Sequence, residues 1–177
     1  TRASVDSLGA QGNGGYSFSP SISSDGRYVA FWSHASNLVA GDTNGAADVF
    51  VHELDITSPF VASTNLSASY TGIGPASFSV NFSENVNNAG GGAGTDDAAN
   101  PANYRVINKG ANGVVDTGSC ANPLTGDDTQ MTVSGVVYTP NTAVVTLASS
   151  LPMGKYRLSV CGTTSIVDLA GNPLNGG

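Results

Sequence analysis

The residues best equipped for chemistry in this sequence are oxygen donors. In Gly41-Asp42-Thr43-Asn44-Gly45-Ala46-Ala47-Asp48, the side chains of Asp42, Asn44 and Asp48 share one short loop with two glycines that permit tight bending. A hard cation such as calcium takes roughly six to eight oxygens, backbone carbonyls included, in relaxed geometry. The twelve-residue spacing and closing glutamate of a helix-loop-helix calcium site are absent. An Asx-turn calls for the same residues, so calcium binding and turn formation both stand. A second set, Asp55, Glu84, Asp168 and Asn172, belongs to a linker, a strand end and a late loop. Loops at one end of a β-sandwich cluster, which would let these converge on a cation. The competing reading is local: Asp168 caps the Ala170-Gly171-Asn172 turn and Glu84 is exposed. The pairs Asp96-Asp97 and Asp127-Asp128 read as solvated loop charge.

Catalysis finds little support. His34 follows one strand-like run and His52 alternates along another, which suits surface or packing roles. No serine sits in a nucleophile-elbow context, and no cysteine–histidine pair is suggested by chain order. Glycine-rich phosphate loops and zinc spacings are absent. The expectation is a protein that is not an enzyme and has no organic cofactor. Tyr28, Phe31, Trp32 and Phe50 could form a platform for a cell-surface polysaccharide, but aromatics within alternating strands are more often core. Any that are exposed would mark a subunit interface.

The elements that must position these residues follow from composition. Of 177 residues, 23 are glycine and 8 proline, only 11% are charged and 40% are hydrophobic. Few strong helix formers and many turn residues point to strands, and the apolar content suffices for a core. The formal charge of −7 disfavours nucleic acid and anionic membranes as partners. No apolar run approaches the ~20 residues that cross a bilayer as a helix. No signal peptide opens the sequence, and Thr1 reads as a mature or a proteolysed terminus. The composition looks extracellular, which favours a disulfide between Cys120 and Cys161 over two buried free thiols.

Residues 1–54 carry Ser17–Ser23, the turn Ser24-Asp25-Gly26, then the alternating run Arg27–Ser33. After a polar loop comes Ala47–Leu54. Asp-Gly between two such runs marks a hairpin. The stretch Pro20-Ser21-Ile22-Ser23-Ser24-Asp25-Gly26-Arg27-Tyr28-Val29-Ala30-Phe31 with Asp48-Val49-Phe50-Val51 resembles one blade of a TolB-like or WD-like β-propeller. The resemblance implies that Asp42, Asn44 and Asp48 form a metal-binding turn. It also implies that residues 1–5 are the outer strand of a preceding blade. Propellers close with roughly four to eight blades, and no second copy is present.

Residues 55–177 contain short alternating runs at near-regular spacing: Phe78–Glu84, Asn103–Ile107, Met131–Val133, Val136–Tyr138, Ala143–Leu147 and Tyr156–Val160. Glycine, proline and asparagine between them predict a β-sandwich, and residues 89–94 predict a flexible loop. Four stretches, Asp55-Ile56-Thr57-Ser58-Pro59, Phe82-Ser83-Glu84-Asn85-Val86, Leu151-Pro152-Met153-Gly154-Lys155-Tyr156 and Asp168-Leu169-Ala170-Gly171-Asn172-Pro173-Leu174, resemble bacterial immunoglobulin-like domains of surface-layer proteins and adhesins. The resemblance implies calcium at Asp55, Glu84, Asp168 and Asn172, and a cysteine pair at Cys120 and Cys161. Such domains continue into a final strand, whereas this sequence stops at Asn175-Gly176-Gly177.

The expected fold is therefore all-β: a small blade-like antiparallel sheet plus an Ig-like sandwich lacking its last strand. The expected function is an extracellular or cell-surface bacterial subunit, stiffened by calcium, that polymerises head to tail with copies of itself by completing β-sheets. The alternative is a spacer or binding module of a longer secreted protein.

Overall fold

The computed structural model of the chain describes residues 2–161 and 166–175. The chain forms two compact units, Thr1–Ile56 and Thr57–Gly177. Both are all-β with antiparallel sheets; a single 3-10 turn at Pro101–Asn103 is the one described helix. No described helix is long and apolar enough to cross a membrane.

The first unit is a three-stranded sheet of β1 (Ser17–Ile22), β2 (Tyr28–Ser33) and β3 (Asp48–Glu53), in that order. Its first hairpin closes through Gly26 N–H to the Ser23 carbonyl at 3.0 Å, with Gly26 at φ 76°, where a side chain would be strained. Alternation divides the sheet. Phe31 and Phe50 stack at 5.7 Å between ring centroids on one face, and Ala35 and Leu38 cover them. On the other face Trp32 is paired in register with Phe18 and Val49. That face is bare: Phe18 is 44% exposed, Val49 73% and Val51 68%. Four buried apolar side chains make a small core for a unit of this length.

The segment that the resemblance assigns to the outer strand of a preceding blade makes contacts within its own unit. Ala3 packs against the core, the Ser4 carbonyl accepts from Gly12 N–H at 3.1 Å, and Val5 bridges Gln11. Thr1 lies outside the described residues.

The second unit contains β4 (Val61–Thr64), β5 (Ser69–Tyr70), β6 (Ser77–Phe82), β7 (Tyr104–Asn108), β8 (Thr129–Met131), β9 (Val133–Thr139), β10 (Thr142–Leu147) and β11 (Gly154–Val160). Two four-stranded sheets result, ordered β4-β6-β10-β9 and β5-β11-β7-β8. Period-two alternation directs Phe78, Val80 and Phe82 of β6 and Ala143, Val145 and Leu147 of β10 inward. Tyr104 and Val106 of β7 and Tyr156 and Val160 of β11 join them in one core. Each buried aliphatic or aromatic side chain of this kind contributes about 1.5–3 kcal/mol over its exposed state.

One strand is incompletely paired. β11 pairs with β7 from Tyr156 to Val160, but with the two-residue β5 only at Gly154 and Lys155. On that second side no described residue pairs with Arg157–Val160, although alternate backbone groups of an antiparallel strand point there. Leu158 shares the inward face of Tyr156 and Val160, yet it is only partly buried where they are 2% and 6% exposed. Elsewhere the end of the unit is tied down. Leu174 is buried, and Asn175 N–H donates to the Pro59 carbonyl at 2.7 Å beside a parallel bridge to Phe60. Gly176 and Gly177, part of the expected strand-deficient end, lie outside the described residues.

Candidate metal centres

In the first unit, Asn44 organises its loop as an Asx-turn. Its Oδ1 accepts from Ala46 N–H at 2.8 Å, and its Nδ2 donates to the Asp48 carboxylate at 3.1 Å. Gly41 and Gly45 take positive φ angles of 82° and 66°. The Asn44 oxygen is thus engaged in the turn, while Asp42 makes no described side-chain hydrogen bond. The described acidic clusters do not include Asp42 or Asp48.

In the second unit, Glu84 and Asp168 each bring a carboxylate oxygen within 4.8 Å of the other. Asp168 is 3% exposed and builds its own turn. Its Oδ1 accepts from Ala170 N–H and Asn172 N–H, both at 2.8 Å, and its Oδ2 accepts from Asn172 Nδ2 at 2.7 Å. The capping role read for Asp168 is therefore realised, with Asn172 as its partner. Asp55, exposed, is the penultimate residue of the first unit.

Two carboxylates read as solvated loop charge are buried. Asp97, three residues beyond the loop of residues 89–94, is 1% exposed and is enclosed by that loop. Gly90 N–H donates to its Oδ1 at 3.1 Å, while Gly92 and Gly94 donate to Oδ2 at 3.1 and 2.8 Å. Burial alone would raise this carboxyl, but the N–H groups of Gly94, Gly90 and Gly92 outweigh it and hold it below the usual carboxylate range. A Cβ at Gly90 would overlap the Asp97 carboxylate. The loop is thus an ordered anion nest built around the chain's own aspartate. The spacing Gly90-x-Gly92-x-Gly94-x-x-Asp97 was its one visible signal.

The second is Asp128, 6% exposed, which forms a cluster with the exposed Asp116 and Asp127. Burial pushes its carboxyl up; the hydrogen bonds of Thr117 and Asp116 and the charge of Arg105 pull it below the ordinary range. Asp116 stands eleven positions before Asp127, so nothing in the sequence pairs them.

The residues around this cluster are fixed from two directions. Cys120 and Cys161 form a disulfide with Cα atoms 5.7 Å apart. Arg105, on β7 and largely buried, donates through Nη1 to the carbonyls of Ser119 at 2.8 Å and Asn122 at 2.6 Å, and through Nε to Gln130 at 2.9 Å. Between them lies a cleft of about 420 Å³ lined by Arg105, Cys120, Asn122, Gln130 and Cys161 among others. Among the described residues, no carboxylate or histidine lines it.

The aromatics split between two roles. Phe31 and Phe50 are core, whereas Trp32 faces outward in a run with Phe18, 5.6 Å away, and His34, 4.9 Å away. Compared with known protein families, curated proteins and solved structures, the chain gives no match.

Proposed function

We propose that this chain is an extracellular structural module, without catalytic activity, that joins copies of itself by completing β-sheets. The observation that carries this reading is the open edge of β11 from Arg157 to Val160, with Leu158 left partly uncovered on the core side. A strand laid along that edge would satisfy its outward backbone groups and cover Leu158 in one step. The bare face of the first unit, with Phe18, Trp32, Val49 and Val51, supports a second contact of the same kind. The disulfide supports an oxidising, extracellular setting. Calcium enters the proposal as a stiffener at the Glu84–Asp168 carboxylates and in the Asp42–Asp48 loop.

Sedimentation of the oxidised chain across a concentration series, in calcium and again in chelator, tests this. Particles that grow with concentration support the reading, and a monomer at every concentration under both conditions overturns it.

A second reading is favoured by the small core of the first unit. A sheet with four buried apolar residues and one bare face is what a single repeat of a longer secreted protein would look like. Fusing a further blade-like repeat ahead of residue 1 would then stabilise the first unit without producing polymers.

A further inference from the structure

The loop of residues 109–128, between β7 and β8, holds three aspartates that the sequence leaves unconnected. Asp116, Asp127 and Asp128 each place a carboxylate oxygen within 4.8 Å of the others. Oxygens sharing one calcium ion at roughly 2.3–2.6 Å lie at most about 5 Å apart, so this spacing suits a single ion. The three negative charges repel one another, and none forms an ion pair with a described lysine, arginine or histidine. Arg105 adds positive charge nearby, but its described hydrogen bonds, through Nε and Nη1, go to Gln130 and to loop carbonyls.

An independent observation concerns Asp128. Its Oδ2 accepts from the N–H groups of Asp116 at 2.9 Å and Thr117 at 2.7 Å. Its Oδ1 is buried and has no hydrogen-bond partner, the only such buried side-chain atom among the described residues. A buried carboxylate oxygen without a donor is costly, and a bound cation is the partner that removes the cost. The other two aspartates are similarly half-used. Asp127 Oδ2 accepts from the N–H groups of Ala111 and Asn112, and Asp116 Oδ2 from the Asn112 amide at 3.4 Å. The Oδ1 of each accepts no described hydrogen bond. Bare backbone makes the convergence sterically feasible. A Cβ at Gly110 would overlap the Asp127 carboxyl and one at Gly126 the Asp116 carboxylate, and both glycines have φ 62°.

We propose that Asp116, Asp127 and Asp128 bind one hard divalent cation of calcium's size, with Asp128 as the buried ligand and the two exposed aspartates closing over it. A loop of this length without secondary structure is uncommon unless it has a function or a clamp, and the ion would be that clamp. The site lies within the second unit and does not depend on the association of copies, so its test is separate from sedimentation.

Isothermal titration of the full oxidised chain with calcium chloride, beside the Asp116→Asn/Asp127→Asn double variant, decides it. The wild-type chain takes up one calcium equivalent that the variant lacks or binds at least about tenfold more weakly. Unchanged stoichiometry and affinity in the variant, or no uptake by the wild-type chain at millimolar calcium, overturns the proposal. Near-UV circular dichroism checks the variant's fold. Should the double change disturb it, Asp116→Asn alone, which perturbs only the long contact to Asn112, is titrated with the same criteria.

Discussion

Gly94 N–H donates to Asp97 Oδ2 at 2.8 Å, the shortest of three backbone hydrogen bonds that the glycine-rich loop directs at one buried carboxylate. Because these bonds favour the ionised form, the folded-state carboxyl titrates below its unfolded value of about 3.9. The sign follows. Asp97 contributes stability that is present above about pH 4 and is lost as pH falls through the lower folded value. Asp97→Asn must set an amide NH2 against at least one of the three donors. It is expected to cost about 1–3 kcal/mol at pH 7. Urea unfolding of both chains at pH 7 and near pH 2 checks this, the gap between them shrinking in acid.

The Cys120–Cys161 disulfide spans a sequence separation of 41 and joins the 109–128 loop to the end of β11. Loop-closure entropy gives about 3–4 kcal/mol for a loop of this length. The Cys120→Ser/Cys161→Ser variant is expected to lose that much of the second unit's stability, a fall in melting temperature on the order of 10 °C. Calorimetry should find the first unit's transition unmoved, since its core is separate.

The two faces of the first sheet should respond oppositely. Phe50→Ala removes one of four buried apolar side chains and is expected to cost about 3–5 kcal/mol, enough to unfold the first unit while the second remains folded. Val49→Thr, next to it in the chain but 73% exposed, is expected to change the monomer's stability by no more than about 0.5 kcal/mol. Paired denaturation curves separate them.

Hydrogen exchange reads the β11 edge directly. In dilute protein, outward amides between Arg157 and Val160 should exchange faster than those bonded to β7. If copies complete the sheet, that difference closes as concentration rises. Uniform protection in dilute protein would mean that the edge is already covered, which would sink the strand-completion reading.

Legibility in the sequence tracks periodicity. The runs Phe78–Glu84, Ala143–Leu147 and Tyr156–Val160 emerge as β6, β10 and β11 within a residue or two, because period-two alternation is a property of the strand itself. β4 and β5 leave no periodic mark: four and two residues are too few to alternate visibly. Asp168 was read as either ligand or cap, and local spacing to Ala170 and Asn172 was enough to anticipate the cap. Solvated loop charge is the wrong reading for Asp97 and Asp128 because their described hydrogen bonds come from backbone. N–H groups of Gly90, Gly92 and Gly94, or of Asp116 and Thr117, leave no mark in side-chain chemistry. The outward placement of Trp32 and Val49 was equally hidden, since alternation assigns two faces without saying which is covered.

The contact between Asn175 and Pro59–Phe60 has a mechanical meaning. It joins the first and last described segments of the second unit side by side and parallel, through the 2.7 Å bond from Asn175 N–H to the Pro59 carbonyl. Tension applied between the two ends of this unit therefore runs along the paired segments and loads them in shear, before any force reaches the core behind Leu174. That pair lies outside both four-stranded sheets, so the unit's first response to stretching is expected at its periphery.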